Sequence, residues 1–214
     1  MNFPVFDLHC DTAFELLDRE GRIIHNLAKN NLHIDLARAG ELPGYAQCFA
    51  CFTTTLSNHS PNQVFERELE AITAQIENNH DKISLAYSTD EILHNQDSGI
   101  MSAILTIEGP AGFDFDPQKL EELQKIGFRI TTLGWNEKNP LTGSHVTGGG
   151  LTDLGKAYVK QAQALNMLVD VSHISDEGFW DIMKISEKPV IASHSNSRTV
   201  CNVSRNLTDD MFLA

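Results

Sequence analysis

Two stretches decide the fold: Met167-Leu168-Val169-Asp170-Val171-Ser172-His173 and Pro189-Val190-Ile191-Ala192-Ser193-His194. Each is a short apolar run that ends in Ser-His, and the residues between them have room for one helix. Runs of this length and composition predict strands of a parallel sheet buried on both faces. Further upstream, Pro4-Val5-Phe6 with Leu8 leads to His9 and Asp11, and Ile104-Leu105-Thr106-Ile107 leads to Glu108. Separate strands that each deliver a metal-type side chain from their ends are how a parallel α/β barrel builds an active site. A doubly wound open sheet shares the β-then-α order but focuses its site at one switch point, so the barrel is the better reading.

Working outward, strands are predicted over residues 3–9, 45–54, 100–107, 128–133, 167–171 and 189–192. Pro61 opens a helix to about Asn79, with Val64, Phe65, Leu69, Ile72 and Ile76 at helical spacing. Pro117 opens another around Leu120 and Leu123. Thr152 or Asp153 starts a third, to about Leu165. Ser175 or Asp176 caps a fourth, to about Ser186, and Thr208 caps one that begins near Leu207. The expectation is an α/β, TIM-like (β/α)8 metallo-dependent hydrolase barrel with six of its eight strands present, as one incomplete domain over residues 1–214. A typical barrel takes about 250 residues, so the chain reads as truncated at its C-terminus. The loop 136–150, with Gly148-Gly149-Gly150, lacks phosphate-cradle spacing and suits a substrate lid.

Composition excludes several functions. The formal net charge is −13, from 29 acidic and 16 basic residues, which argues against nucleic acid or an anionic membrane as partner. No apolar stretch approaches the roughly 18 residues of a membrane helix, and no secretory signal is visible at the N-terminus. Of Cys10, Cys48, Cys51 and Cys201, only Cys48 and Cys51 are close, and no second pair completes a zinc ribbon. Buried thiols in a reducing cytoplasm are expected.

His9 and Asp11 are two apart, so an extended backbone would send both side chains from one face toward one cation. The alternative makes Asp11 the cap of a helix starting at Thr12. Glu108 would be costly to bury unless paired or metal-bound, the alternative being an exposed glutamate before the Gly109-Pro110 turn. His173 and His194, in successive βα units, are the strongest ligand pair, with Asp170 a candidate to support them.

The blocks Asp7-Leu8-His9-Cys10-Asp11-Thr12, Ile107-Glu108-Gly109, Leu151-Thr152-Asp153-Leu154-Gly155, Asp170-Val171-Ser172-His173, Ser193-His194-Ser195 and the run from Ser204 to Asp210 together carry a resemblance. The chain resembles the membrane dipeptidase (renal dipeptidase-like, peptidase family M19) family of the amidohydrolase superfamily. The resemblance implies two zinc ions, His9 and Asp11 on one, His173 and His194 on the other, and Glu108 bridging both. It implies a dipeptide substrate, cleaved by a metal-bridging hydroxide, with its terminal carboxylate on Arg205. Trp135 falls where the family usually has a substrate-contacting histidine, and His145, further along the loop, is a candidate substitute. No catalytic acid–base residue is identified within the chain, since the aspartate that fills this role is expected beyond Ala214. Members are often dimers, so a homodimer is an expectation, although no residue here places its interface. Another amidohydrolase reaction, on N-acyl amino acids or lactams, and an inactive truncated relative are the alternatives.

Overall fold

The computed structural model describes residues 3–55 and 58–214. The chain forms two compact units, and strands β4 and β5 pass through both. The first unit comprises Met1–Phe52, Gln63–Thr106 and Gly127–Arg129. It holds β1 (Val5–Asp7), α1 (Thr12–Glu15), α2 (Leu36–Ala39), β2 (Tyr45–Phe52), most of α3 (Pro61–Asn78), β3 (Ile83–Leu85), α4 (Thr89–Asp97) and most of β4 (Met101–Glu108). β1 runs parallel to β2 with Val5 opposite Tyr45, and β3 runs parallel to β4 with Ile83 opposite Met101.

The second unit comprises Thr53–Asn62, Ile107–Ile126 and Ile130–Ala214. It holds the end of β4, a 3-10 turn at Pro110–Phe113, α5 (Lys119–Ile126), most of β5 (Phe128–Thr132), α6 (Asp153–Ala164), β6 (Leu168–Asp170), α7 (Asp176–Ile185), β7 (Val190–Ile191) and α8 (Asp209–Leu213). β6 runs parallel to β5, with Leu168 opposite Ile130, and to β7, with Val169 opposite Val190.

The strand order is β1-β2-β4-β5-β6-β7, with β3 beside β4. Strands laid down in sequence order, with helices between, are the pattern of a TIM-like α/β barrel; a doubly wound sheet reverses its order at a switch point. All eight residues of β4 are buried, which suits its largely apolar sequence, with Ser102, Thr106 and Glu108 the polar exceptions. Helix starts follow the side chains expected of them. The hydroxyls of Thr152, Ser175 and Thr208 accept from the N–H groups of Gly155 (3.0 Å), Gly178 (2.9 Å) and Met211 (3.3 Å). Tyr158 of α6 is fully buried and meets Thr131 of β5, oxygen to oxygen, at 2.7 Å. Among the described residues, no helix is long and apolar enough to cross a membrane.

The structure departs from expectation by added and shortened elements. α2, β3 and α4 were not expected; α2 lies between α1 and β2, and β3 and α4 lie between α3 and β4 and add a short strand to the six. β1 ends at Asp7 instead of residue 9, so extended geometry does not carry through His9 and Asp11. The chain stays pinned to β2 by irregular bonds from Cys10 N to Cys48 O (3.1 Å) and from Ala50 N to Cys10 O (3.0 Å).

Candidate metal centre

In the first unit, His9 and Asp11 meet through a bend. His9 N–H donates to Asp7 Oδ1 at 3.1 Å, and His9 Nε2 lies 3.3 Å from Asp11 Oδ1. Asp11 occupies the cap position of α1, yet its carboxylate makes no capping bond and turns to His9 instead. The adjacent Cys10 thiol is pushed up to about 12, chiefly by burial, so it is an inert core thiol.

The second unit assembles the rest. Glu108 closes β4; its carbonyl accepts from Thr53 N–H at 2.8 Å. Gly109 follows with φ 81°, and a Cβ there would run into the Thr53 carbonyl oxygen, so the turn that ends the strand needs glycine. The Glu108 side chain is buried, and its Oε1 lies 3.0 Å from His173 Nε2 and 3.5 Å from His194 Nε2. The two Nε2 atoms are themselves 2.9 Å apart. The alternative of an exposed loop glutamate is therefore excluded.

The other ring nitrogens decide what this cluster can hold. His173 Nδ1 faces Asn136 Oδ1 at 3.0 Å, an acceptor, so Nδ1 carries the proton. His194 Nδ1 faces Ser193 Oγ at 2.7 Å. The Ser193 hydroxyl donates in a short bond to Asp170 Oδ2, so its oxygen accepts from His194 Nδ1–H. Both histidines thus present Nε2 lone pairs to each other and to a carboxylate. Three acceptors at such distances repel unless a cation lies among them, and two imidazoles with a carboxylate suit a divalent metal such as zinc. Burial pushes the His173 imidazolium down against the opposing pull of Glu108, which favours the neutral form that a ligand needs.

Asp170 anchors this arrangement without touching either imidazole. Buried at the end of β6, it accepts from Ser172 N–H (2.9 Å) and Ser193 N–H (3.0 Å) as well as from the Ser193 hydroxyl. His173 itself sits at φ 68°, and its carbonyl accepts from His145 N–H at 2.8 Å.

Arg205 lies on a loop that folds on itself: Arg198 N–H donates to Leu207 O, Leu207 N–H donates to Asn196 O, and Arg198 binds Asp176 through two 2.7 Å bonds. Arg205 Nη1 donates to Ser195 Oγ at 2.6 Å, while the buried Nη2 finds no acceptor among the described residues. Burial lowers its pKa, with the Asp170 and Glu108 carboxylates opposing. A guanidinium held by one arm, with the other buried and unsatisfied, is equipped to take an anion. Trp135 is half-buried with its ring 6.3 Å from that of His173.

His145, the candidate substitute for the family's substrate-contacting histidine, has both ring nitrogens engaged within the protein: its Nε2 bonds Asn136 Oδ1 (2.9 Å) and its Nδ1 bonds Ser204 Oγ (3.0 Å). Burial, aided by the Arg205 cation, lowers its pKa. Sequence reading missed Asn136, Ser193 and Ser195 as supports of the site. The serines flanking His194 were the available signal; Asn136 gave none.

All 214 residues match the family model described as membrane dipeptidase (peptidase family M19). An uncharacterized protein in the PQQ-III 3' region of Acinetobacter calcoaceticus is 27% identical, across the whole of this chain and 77% of its own length. Dipeptidase verJ of Clonostachys rogersoniana is 30% identical, over 98% of this chain and 58% of its own. A crystal structure of a metallo peptidase from Rhodobacter sphaeroides, liganded with a phosphinate mimic of the dipeptide L-Ala-D-Ala, superposes with a TM-score of 0.87. It covers 99% of this chain and 70% of that one at 23% identity, a likeness of fold. The chain spans from about half to three quarters of the length of the relatives it matches.

Proposed function

The chain belongs to the membrane dipeptidase family (peptidase family M19), and from that membership we propose that the complete protein is a zinc-dependent dipeptidase. The observation that carries the reading is the pair of Nε2 lone pairs, 2.9 Å apart, facing the buried Glu108 carboxylate. His173, His194 and Glu108 would hold one metal, and by family resemblance alone His9 and Asp11 would hold a second. Bound there, such ions supply Lewis acidity, making a water more acidic and a peptide carbonyl more electrophilic.

The chain's own residues supply alignment. Asn136 keeps the His173 proton on Nδ1, and the Asp170–Ser193 pair does the same for His194. Arg205, steadied by Ser195, offers its unsatisfied Nη2 to the substrate's terminal carboxylate. Trp135 contributes an apolar wall beside His173. The cytoplasm is the proposed location, supported by four cysteines that are all free thiols. A homodimer is the proposed assembly, by family resemblance alone.

The test uses the complete protein, metal-stripped and then reloaded with zinc, on three substrates: a dipeptide, its N-acetyl analogue and its C-terminal amide. Zinc-dependent cleavage of the dipeptide, with weaker cleavage of the C-terminal amide and none of the N-acetyl analogue, supports the proposal. Equal turnover of the N-acetyl analogue would transfer the protein to N-acyl amino acid chemistry. No turnover of any dipeptide by fully loaded protein would end the reading.

A further inference from the structure

The histidine of the 136–150 loop is fully engaged by its neighbours, and the partners it has chosen connect the two halves of the proposed chemistry. On one side, His145 Nε2–H and His173 Nδ1–H both donate to Asn136 Oδ1, at 2.9 and 3.0 Å. On the other, His145 Nδ1 accepts from the Ser204 hydroxyl at 3.0 Å, and Ser204 is the residue before Arg205. Nothing about this path is loose. The Ser144 hydroxyl donates to Asn136 O at 2.6 Å and accepts from Thr147 N–H at 3.2 Å, which closes the loop on itself. Gly143 packs so tightly that a Cβ would strike the Gly148 carbonyl oxygen. His145 N–H also grips the His173 carbonyl at 2.8 Å, so the ring is fixed relative to the ligand.

Resting on the dipeptidase reading above, we propose that His145 is a positioning residue for recognition of the substrate carboxylate. It ties the Arg205 segment, through Ser204, to the segment that orients His173. Arg205 is thereby steadied from two sides, by its neighbour Ser204 on His145 and by Ser195, which follows His194. The backbone on either side of Arg205 is held separately by Arg198, which donates to Ser204 O at 3.2 Å and Asn206 O at 2.9 Å and binds Asp176. Removing the imidazole therefore frees the arginine's approach without dismantling the loop or the ligand pair.

The test compares His145→Ala, Ser204→Ala and the double variant in the complete protein. His145→Ala should raise KM for a dipeptide about tenfold, the worth of one lost hydrogen bond, with kcat little changed. The C-terminal amide of the same dipeptide should not respond, and zinc per chain should equal that of the parent. Ser204→Ala should reproduce the effect, and the double variant should add nothing, because both act on one path. Equal losses on acid and amide, a fall in zinc content, or additive effects would each overturn the proposal. Hydrogen–deuterium exchange gives a readout independent of turnover. Faster exchange across residues 203–206 in His145→Ala is expected, and unchanged exchange there overturns the proposal even if the parent cleaves no dipeptide. Absence of dipeptide turnover in the parent would instead strike the function proposed above.

Discussion

Replacing Asp170 with asparagine should cost the site its metal affinity without touching a ligand. The carboxylate accepts three hydrogen bonds: two backbone N–H groups, of Ser172 and Ser193, on Oδ1, and the Ser193 hydroxyl on Oδ2. An asparagine keeps the two backbone bonds only by placing its oxygen at the Oδ1 position. Its NH2 then faces Ser193 Oγ and donates, so the hydroxyl must send its own proton elsewhere. Two neighbours are within reach, His194 Nδ1 at 2.7 Å and Ser172 Oγ at 3.3 Å, and the shorter contact is favoured. A proton donated there makes Nδ1 an acceptor and drives the imidazole proton onto Nε2, the atom that faces His173 and Glu108. One isosteric change thus converts a lone pair at the proposed metal position into an N–H.

Loss of a residue that orients a metal ligand typically lowers metal affinity or activity by about 10- to 100-fold, or roughly 1.4–2.7 kcal/mol. Asp170→Asn should fall in that range, and toward its upper end, because the tautomer is reversed as well as loosened. Zinc titration of stripped protein against a competing chelator measures it, with circular dichroism to confirm the fold. A variant that folds and binds zinc as tightly as the parent would refute the tautomer argument. Asp170→Ala serves as the control: it leaves the Ser193 hydroxyl without an imposed direction, so its loss in zinc affinity should be smaller than that of Asp170→Asn.

Three further outcomes follow from other parts of the structure. Arg205→Ala should lower kcat/KM for dipeptides about 10- to 100-fold, the worth of a charge-assisted bond, mainly through KM, while C-terminal amides barely respond; equal losses on both would remove Arg205 from carboxylate recognition. Arg198 holds the Asp176 carboxyl below its ordinary range, so this pair stabilises the fold above about pH 4 and its contribution fades as pH falls through the lowered value. Asp176 is half exposed, so Asp176→Asn should cost less than about 1 kcal/mol near neutrality. The gap in urea midpoint from the parent should narrow between pH 5 and pH 3, and a gap that widens would reverse the sign of the argument. Tyr158→Phe should cost about 1–2 kcal/mol by urea unfolding, since it removes a buried bond to Thr131 while Thr131 keeps its own bond to the Thr132 carbonyl; an unchanged midpoint would show that the hydroxyl pair contributes nothing net.

How much of this was legible in the sequence depended on range. β4 reads off as a buried strand because all eight of its residues face the core, and α6 and α7 read off because Thr152 and Ser175 are local caps that act within three residues. β3 did not, because three residues are too few to show a period, and α4 buries only Asn95, so its polar sequence carries no amphipathic stripe. The proposed ligands were found because a strand end is a place that periodicity can point to. Their supports could not be found that way. Asn136, His145 and Ser204 are joined across 9 and 59 residues, all in loops, where no spacing rule says which side chains will meet.

The same contrast explains how the two candidate ligand groups reach their geometry. His173 and His194 follow parallel neighbours β6 and β7 by three residues each, so register delivers them to the same level. His9 and Asp11 have no such register to rely on, since β1 has already ended, and a bend brings their side chains to 3.3 Å. A strand end fixes where a ligand emerges, but only the loop's own hydrogen bonds fix which atom of an imidazole it presents. In this chain that second choice is made by Asn136 for His173 and by Asp170, through Ser193, for His194. Substitutions that leave every ligand in place can therefore still abolish the donor set, and these two side chains are where such losses should concentrate.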